Sequence, residues 1–272
     1  MKTIITKKGA LPGKTLAVFA GVHGNETAGI EVVKKMIREI EPDRGTVHFV
    51  LANPLAIKNN VRYIESNLNR DFIAKQTAST YEQKRATVLM KLLDDCDTLL
   101  DLHAYRSDAK TVLPFAICEK RCSDVVEKFD LPISISGISS FQDGGTNGYM
   151  EKQNKVGIVV ELGSIDRPED FFDLGVRCVE VFLQHYQCLE GVVSTHSKNK
   201  TEYLKVVGVY RKNTSSFKFL KKYRSFDKIT KNKAIASDGG VIVSAKYDGR
   251  IMFPSQNDAI GIEAFWLLSN ES

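Results

Sequence analysis

Two histidines, two glutamates and two arginines are the residues of this sequence whose types and positions could do chemistry. In "AGVHGNETAG" (20–29), His23 and Glu26 stand three apart, directly after the apolar run "TLAVF". If a turn or helix begins at Gly24, both side chains can point at one spot. His103, in "LLDLHAY", also closes an apolar run. Two imidazoles and a carboxylate with a fourth position open are the donor set of a catalytic zinc site. The competing reading is that each is a hydrogen-bonded polar residue at a strand end. With five histidines in the chain, "HGNE" alone is a weak signal.

A second cluster shifts the balance. The polar stretch "NPLAIKNNVRYIESNLNRDF" (53–72) carries Arg62 and Arg70 among several amides. Guanidinium groups hold carboxylates and developing oxyanions through paired donors; the plainer reading is a surface loop with ordinary salt bridges. Glu161 lies near the end of "VGIVVELG" (156–163), an ionisable group after mostly aliphatic residues. Such a glutamate either pairs structurally or serves as acid and base near pH 7.

These side chains need rigid supports, and the sequence supplies them. "KTLAVFAG" (14–21), "TVHFVLAN" (46–53), "CDTLLDLHA" (96–104), "TVLPFAI" (111–117) and "VGIVVELG" (156–163) read as short buried strands. Residues 26–40, 79–95 and 168–189 show apolar residues at helical spacing. Strands alternating with helices predict an α/β sheet, largely parallel and covered on both faces. His23 and His103 then fall at carboxyl ends of strands, where such sheets bind ligands. From about residue 198 short β-branched runs alternate with Asp238-Gly239 and Asp248-Gly249, which predicts hairpins and a small all-β domain. The expected division is 1–197 and 198–272.

Composition bounds the rest. At 272 residues, 43% hydrophobic and 26% charged, this is a globular composition with room for a core domain and a smaller one. No apolar stretch approaches the roughly 18 residues of a membrane span, and the basic N-terminus lacks a signal-peptide layout, so the cytoplasm is expected. Five cysteines without a CxxC pair argue against a disulfide framework, and Cys118 and Cys122 read as buried free thiols. Residues 196–272 hold 14 Lys and Arg against 7 acids, whereas residues 1–195 hold 24 against 26. "KFLKKYRSFDKITKNK" shows no recognition-helix or base-stacking pattern, so a solvated basic face, or one that attracts an anionic substrate, is expected rather than nucleic acid.

In order and separation, "GVHGNE", "NPLAIKNNVRYIESNLNRDF", "DLHAY" and "GIVVELG" resemble the succinylglutamate desuccinylase/aspartoacylase family of zinc hydrolases, relatives of the zinc carboxypeptidases. The ending "DGRIMFPSQNDAIGIEAFWL" is similar to that family's small β domain. The resemblance implies a zinc-carboxypeptidase-like, mostly parallel mixed sheet followed by a small all-β domain. It implies one Zn2+ per chain, bound by His23, Glu26 and His103. Arg62 would polarise the scissile carbonyl and steady the oxyanion, while Asn69 and Arg70 would clamp a substrate carboxylate. Glu161 would take a proton from the metal-activated water and pass it to the leaving amine. Residues 142–153 would shape the pocket, with Asn147 and Tyr149 as contacts.

Members acting on N-acetylaspartate carry an arginine shortly before the catalytic glutamate. Here position 151 is Glu, and no arginine occurs between Arg121 and Arg167, so no aspartate specificity carries over. The implied activity is cleavage of an amide in a small anionic N-acyl amino acid, without nucleic-acid or membrane partners. The alternatives are a zinc carboxypeptidase acting on a short or cell-wall-derived peptide, and a non-catalytic metal or ligand binder. A homo-oligomer is left open.

Overall fold

The computed structural model describes residues 2–74, 77–106, 112–119, 122–191, 200–256 and 259–270. In chain order the elements are β1 (Ile4–Lys8), β2 (Leu11–Ala20), α1 (Thr27–Glu39), β3 (Arg44–Leu51), α2 (Pro54–Asn59), α3 (Tyr81–Asp94), β4 (Thr98–Tyr105), β5 (Phe115–Ile117), α4 (Ser123–Lys128), β6 (Ile133–Ser136), α5 (Thr146–Lys152), β7 (Val156–Ser164) and α6 (Phe172–His185). Then come β8 (Glu202–Arg211), β9 (Lys218–Phe219), β10 (Lys228–Ile229), β11 (Ala234–Asp238), β12 (Val241–Ser244), β13 (Gly249–Met252) and β14 (Glu263–Asn270).

Strand order in the large sheet is β1-β3-β2-β4-β7-β5-β6-β8-β14-β13-β10. Its centre is parallel: β2 pairs with β3 and β4, and β4 with β7, all in one direction. Such strands are buried on both faces and therefore read as unbroken apolar runs. Alternation along β2 shows why. Leu16, Val18 and Ala20 pack on one face with α1, α4 and α6, while Ala17 and Phe19 pack on the other with α3 and Met150 of α5. Each fully buried Leu or Phe contributes roughly 1.5–3 kcal/mol, so both faces hold the strand ends in place. The helix α3 begins with a capping box, in which Thr80 accepts from the Gln83 amide and Gln83 reaches back to Thr80. Such a cap contributes on the order of 1 kcal/mol.

The β-rich C-terminal region continues the large sheet. β8 pairs parallel to β6, and β14 and β13 follow antiparallel. One cluster of buried side chains joins Ile133, Ile135 and Val159 to Leu204, Trp266 and Leu268, so the two regions share apolar packing. The expected boundary at 197/198 lies outside the described residues, as does Thr111 of the run 111–117; β5 itself is confined to Phe115–Ile117.

Two local expectations are corrected. Asp238-Gly239 does form a hairpin, since β11 pairs β12 across it. Asp248-Gly249 does not: β12 lies in a separate three-stranded sheet, whereas β13 pairs β14 and β10 in the large one. Cys96, Cys178 and Cys188 are buried free thiols, but Cys118 and Cys122, four residues apart in sequence, are joined as a disulfide. Among the described residues, no helix is long and apolar enough to cross a membrane.

Candidate functional site

The turn after β2 delivers His23 and Glu26 to the carboxyl edge of the parallel strands, and β4 delivers His103 beside them. Gly24 makes this possible. A Cβ there would lie 2.1 Å from the Ala56 carbonyl carbon, so only glycine lets the turn press onto α2. Its N–H donates to the Arg62 carbonyl at 3.2 Å, tying the histidine turn to the arginine stretch.

His23, Glu26 and His103 are 2–3% exposed, and one ligand atom from each lies within 4.8 Å of the others. Nδ1 of His23 is 2.7 Å from Oε1 of Glu26, and Nδ1 of His103 is 3.0 Å from Oε2. The opposite ring nitrogens are anchored: Nε2 of His23 to Asn67 Oδ1 at 3.0 Å, and Nε2 of His103 to Asp101 Oδ2 at 2.9 Å. Asn67 Oδ1 also accepts the Asn69 N–H, which fixes it as the oxygen. Both nitrogens of each ring face acceptors; with a cation between the rings and Glu26, the outer anchors would keep the proton on Nε2 and leave the Nδ1 lone pair facing inward. Two lone pairs and a carboxylate facing one point repel unless a proton or a cation lies between them. The donor set fits a zinc ion.

The electrostatics agree. Burial would raise Glu26, but the flanking imidazoles reverse this and hold it well below the usual carboxylate range. Burial pushes His23 down, outweighing the pull of Glu26. Burial also acts to lower His103, but Asp101 and Glu26 prevail and push it up.

Glu161 sits in register with His103 on the adjacent strand β7. Its Oε2 is buried and has no hydrogen-bond partner among the described residues. Burial is the chief reason its carboxyl is pushed up to about 8. An acid titrating near neutrality can both take and return a proton. Below it Asp101 accepts from Thr146 Oγ1 at 2.6 Å as well as from His103.

The rim is built from the arginine stretch. Glu82 of α3 is fully buried and accepts the N–H groups of Ile64, Glu65 and Ser66, plus Asn53 Nδ2. Those hydrogen bonds hold its carboxyl below the usual range in spite of burial. This buried anion organises the loop that carries Arg62, Asn69 and Arg70. Nη1 of Arg62 lies 3.1 Å from Glu26 Oε1. Gly144, at φ +77°, presses on the Arg70 backbone, where a Cβ would come within 2.3 Å of the carbonyl oxygen. The Thr146 amide donates to Asn69 Oδ1 at 3.2 Å. Arg70 faces Glu263 of β14 at 3.8 Å, and Arg211 faces the same oxygen at 3.5 Å.

A cavity of about 500 Å³ collects these groups. His23, Glu26, His103, Arg62, Asn69, Arg70, Asn147 and Glu161 all line it. Tyr149, expected as a substrate contact, does not line it. Two residues beyond Asn147 on α5, it faces away, since residues two apart do not share a helix face. Its hydroxyl donates to Asp94 at 2.6 Å and its ring lies against Phe72. Sequence reasoning missed Asp101, Asn67, Glu82 and Glu263. Asp101 had a local signal, since it stands two residues before His103 on one strand and so shares its face.

The profile of the succinylglutamate desuccinylase/aspartoacylase catalytic domain matches residues 12–185. A protein of Prochlorococcus marinus described as "Probable aspartoacylase" is 28% identical over 173 residues, covering 59% of this chain and 56% of that one. The chain thus spans little more than half the length of that relative. The succinylglutamate desuccinylase of Vibrio cholerae is 27% identical over 283 residues, 92% of this chain and 79% of its own. A crystal structure of a Vibrio cholerae succinylglutamate desuccinylase superposes with a TM-score of 0.83 at 22% identity, covering 98% of this chain and 85% of that one. That likeness shows a shared, zinc-carboxypeptidase-like fold. With the profile spanning well over half its length, this chain belongs to the succinylglutamate desuccinylase/aspartoacylase family.

Proposed function

We propose that the chain is a zinc-dependent hydrolase that cleaves the amide bond of a small anionic N-acyl amino acid. The observation that carries this is the inward convergence of Nδ1 of His23 and Nδ1 of His103 on the two oxygens of Glu26, beneath a cavity that also presents Arg62, Arg70 and Glu161. A zinc ion held by His23, Glu26 and His103 supplies Lewis acidity and lowers the pKa of water to about 7.

The other roles belong to the chain's own groups. Arg70 and Asn69 hold the substrate carboxylate at the rim, which makes attack effectively unimolecular. Arg62 stands over the metal ligands, where it can stabilise negative charge developing on the carbonyl oxygen. Asn147, buried in the wall, contributes an amide contact. Glu161 takes the proton of the attacking water on its unpartnered oxygen and returns it to the leaving amine.

The test is a panel of N-acyl amino acids and short peptides offered to purified, zinc-loaded protein, with and without a chelator. Release of a free amine that stops on chelation and returns with zinc is the expected result. Turnover of peptides alone would identify a carboxypeptidase. No turnover of any member would leave the hydrolase reading without support.

A further inference from the structure

We propose that the Glu161 side of the cavity is an apolar subsite for an aromatic group of the substrate, carried on its amino-acid side chain or its acyl chain. This rests on the reading above that an N-acyl amino acid is cleaved at this cavity. The wall concerned is made by Tyr105, Ile117, Ile138, Val159, Phe253 and Trp266. Five of these are buried members of one apolar cluster, and Phe253 is partly buried against it.

Strand geometry sets this wall beside Glu161. Val159 stands two residues before Glu161 on β7, so both point to one face of the sheet. Ile117 of β5 is paired with Val159 across the antiparallel ladder and adds its side chain to that face. In the same ladder Phe115 is paired with Glu161, and its ring lies 5.5 Å from that of Tyr105 and 5.8 Å from that of Phe253. The Tyr105 hydroxyl already donates to Leu113 O at 2.9 Å. Phe253 follows β13, whose Met252 pairs with Trp266 of β14.

The backbone that carries Phe253 is strained. Its φ is +49°, and Phe226, whose ring packs on Phe115 at 5.2 Å, has φ +74°. Bulky residues rarely adopt the left-handed region, and those held there cluster where ligands are gripped. Two hydrogen bonds fix the pair: Phe226 N–H donates to Ile251 O at 2.6 Å, and Phe253 N–H to Ser225 Oγ at 3.0 Å. Glycine would fit such a backbone without strain; what phenylalanine adds at 253 is the ring. A substrate ring laid on this wall removes apolar surface of both from water and meets aromatic neighbours. A carboxylate laid there would lose hydration against apolar side chains. Arg106 is the rival, since it lines the same cavity and could answer a second carboxylate. It is exposed, just past the end of β4, whereas the apolar wall is packed.

The experiment is calorimetric titration of the whole, zinc-free protein with N-acetylglycine, N-acetyl-L-phenylalanine, N-phenylacetylglycine and N-acetyl-L-glutamate. The first carries no side group and sets the baseline. At least one aromatic compound should bind about tenfold or more tightly than N-acetylglycine, and N-acetyl-L-glutamate should show no such gain. A gain with N-acetyl-L-phenylalanine assigns the amino-acid side chain, and with N-phenylacetylglycine the acyl group. Phe253→Gly, which suits the left-handed backbone, and Ile138→Ala should each remove most of the gain and leave binding of N-acetylglycine unchanged. Val241→Ala, exposed and outside the cavity, is the control and should keep the gain. Should Phe253→Gly melt early, Ile138→Ala carries the test. An equal gain with N-acetyl-L-glutamate would give the place to a second carboxylate at Arg106 and overturn the subsite. So would no gain with either aromatic compound, or a gain that persists in both variants. Titration needs no turnover, so an aromatic ligand that binds but is never hydrolysed would end the hydrolase reading and leave the subsite standing.

Discussion

At the floor of the cavity every inward atom is held, whereas at its rim the charges are loosely met. His23, Glu26 and His103 are buried, and both nitrogens of each ring have partners at 2.7–3.0 Å. Arg62, by contrast, has a half-exposed side chain, and Arg70 reaches Glu263 only at 3.8 Å. The floor is set by strand ends within a two-faced core; the rim hangs on a loop organised by one buried carboxylate, Glu82. Rigid supports suit metal ligands, which tolerate little displacement, and a softer rim suits residues that must close on a substrate. The floor should therefore respond to substitution in an all-or-none way and the rim by degrees.

The largest effect belongs to the floor. Wild type should purify with about one zinc per chain, as a single three-ligand set provides, and His23→Ala or His103→Ala should nearly abolish occupancy. Asp101→Asn, which removes the acceptor that orients His103, should weaken zinc binding by about 10–100-fold. Metal analysis after dialysis against a zinc buffer reads both. Full occupancy in the two alanine variants would mean that the floor is a hydrogen-bonded cluster and not a metal site.

At the rim the two arginines should separate. Arg62→Ala should lower kcat by on the order of 10²–10³, since oxyanion stabilisation is felt only as charge develops. Arg70→Ala should chiefly raise KM, because a carboxylate clamp serves ground and transition states alike. Steady-state kinetics on one acylamino acid decides this, and matching changes in both parameters for both variants would erase the distinction.

Much of this contrast was legible in the sequence. Apolar runs marked the central strands because both faces of a parallel sheet are buried, and "HGNE" with "DLHAY" marked the floor. Glu82 was not legible, since its partners lie at Asn53 and residues 64–66 and no local pattern joins them to α3. Tyr149 lies off the cavity because it stands two residues from Asn147 on the short helix α5, which the sequence did not mark. Glu263 was missed because its role depends on β14 lying beside β8 and facing the arginine loop. These contacts join segments distant in the chain, and periodicity carries no record of them.

A smaller effect concerns stability and pH. The Glu161 carboxyl is raised in the folded protein from 4.5 to about 8. Its contribution to stability is thus present below the unfolded value and lost as pH rises through the folded one. In zinc-free protein, Tm of wild type relative to Glu161→Gln should fall between roughly pH 5 and pH 8, since the glutamine carries no titrating charge. Parallel Tm curves for the two proteins would show that Glu161 is not a strained, buried acid.

Whether Glu161 is the proton carrier is the central claim, and one preparation of Glu161→Gln tests it most directly through kcat, zinc content and Tm. The substitution keeps the size of the side chain and leaves His23, Glu26 and His103 untouched. We expect zinc to remain at about one per chain, Tm to be maintained or raised at neutral pH, and kcat to fall by roughly 10²–10⁴. A variant that keeps its turnover per folded molecule while losing stability would contradict the account, making Glu161 a structural partner and leaving the cavity without its base.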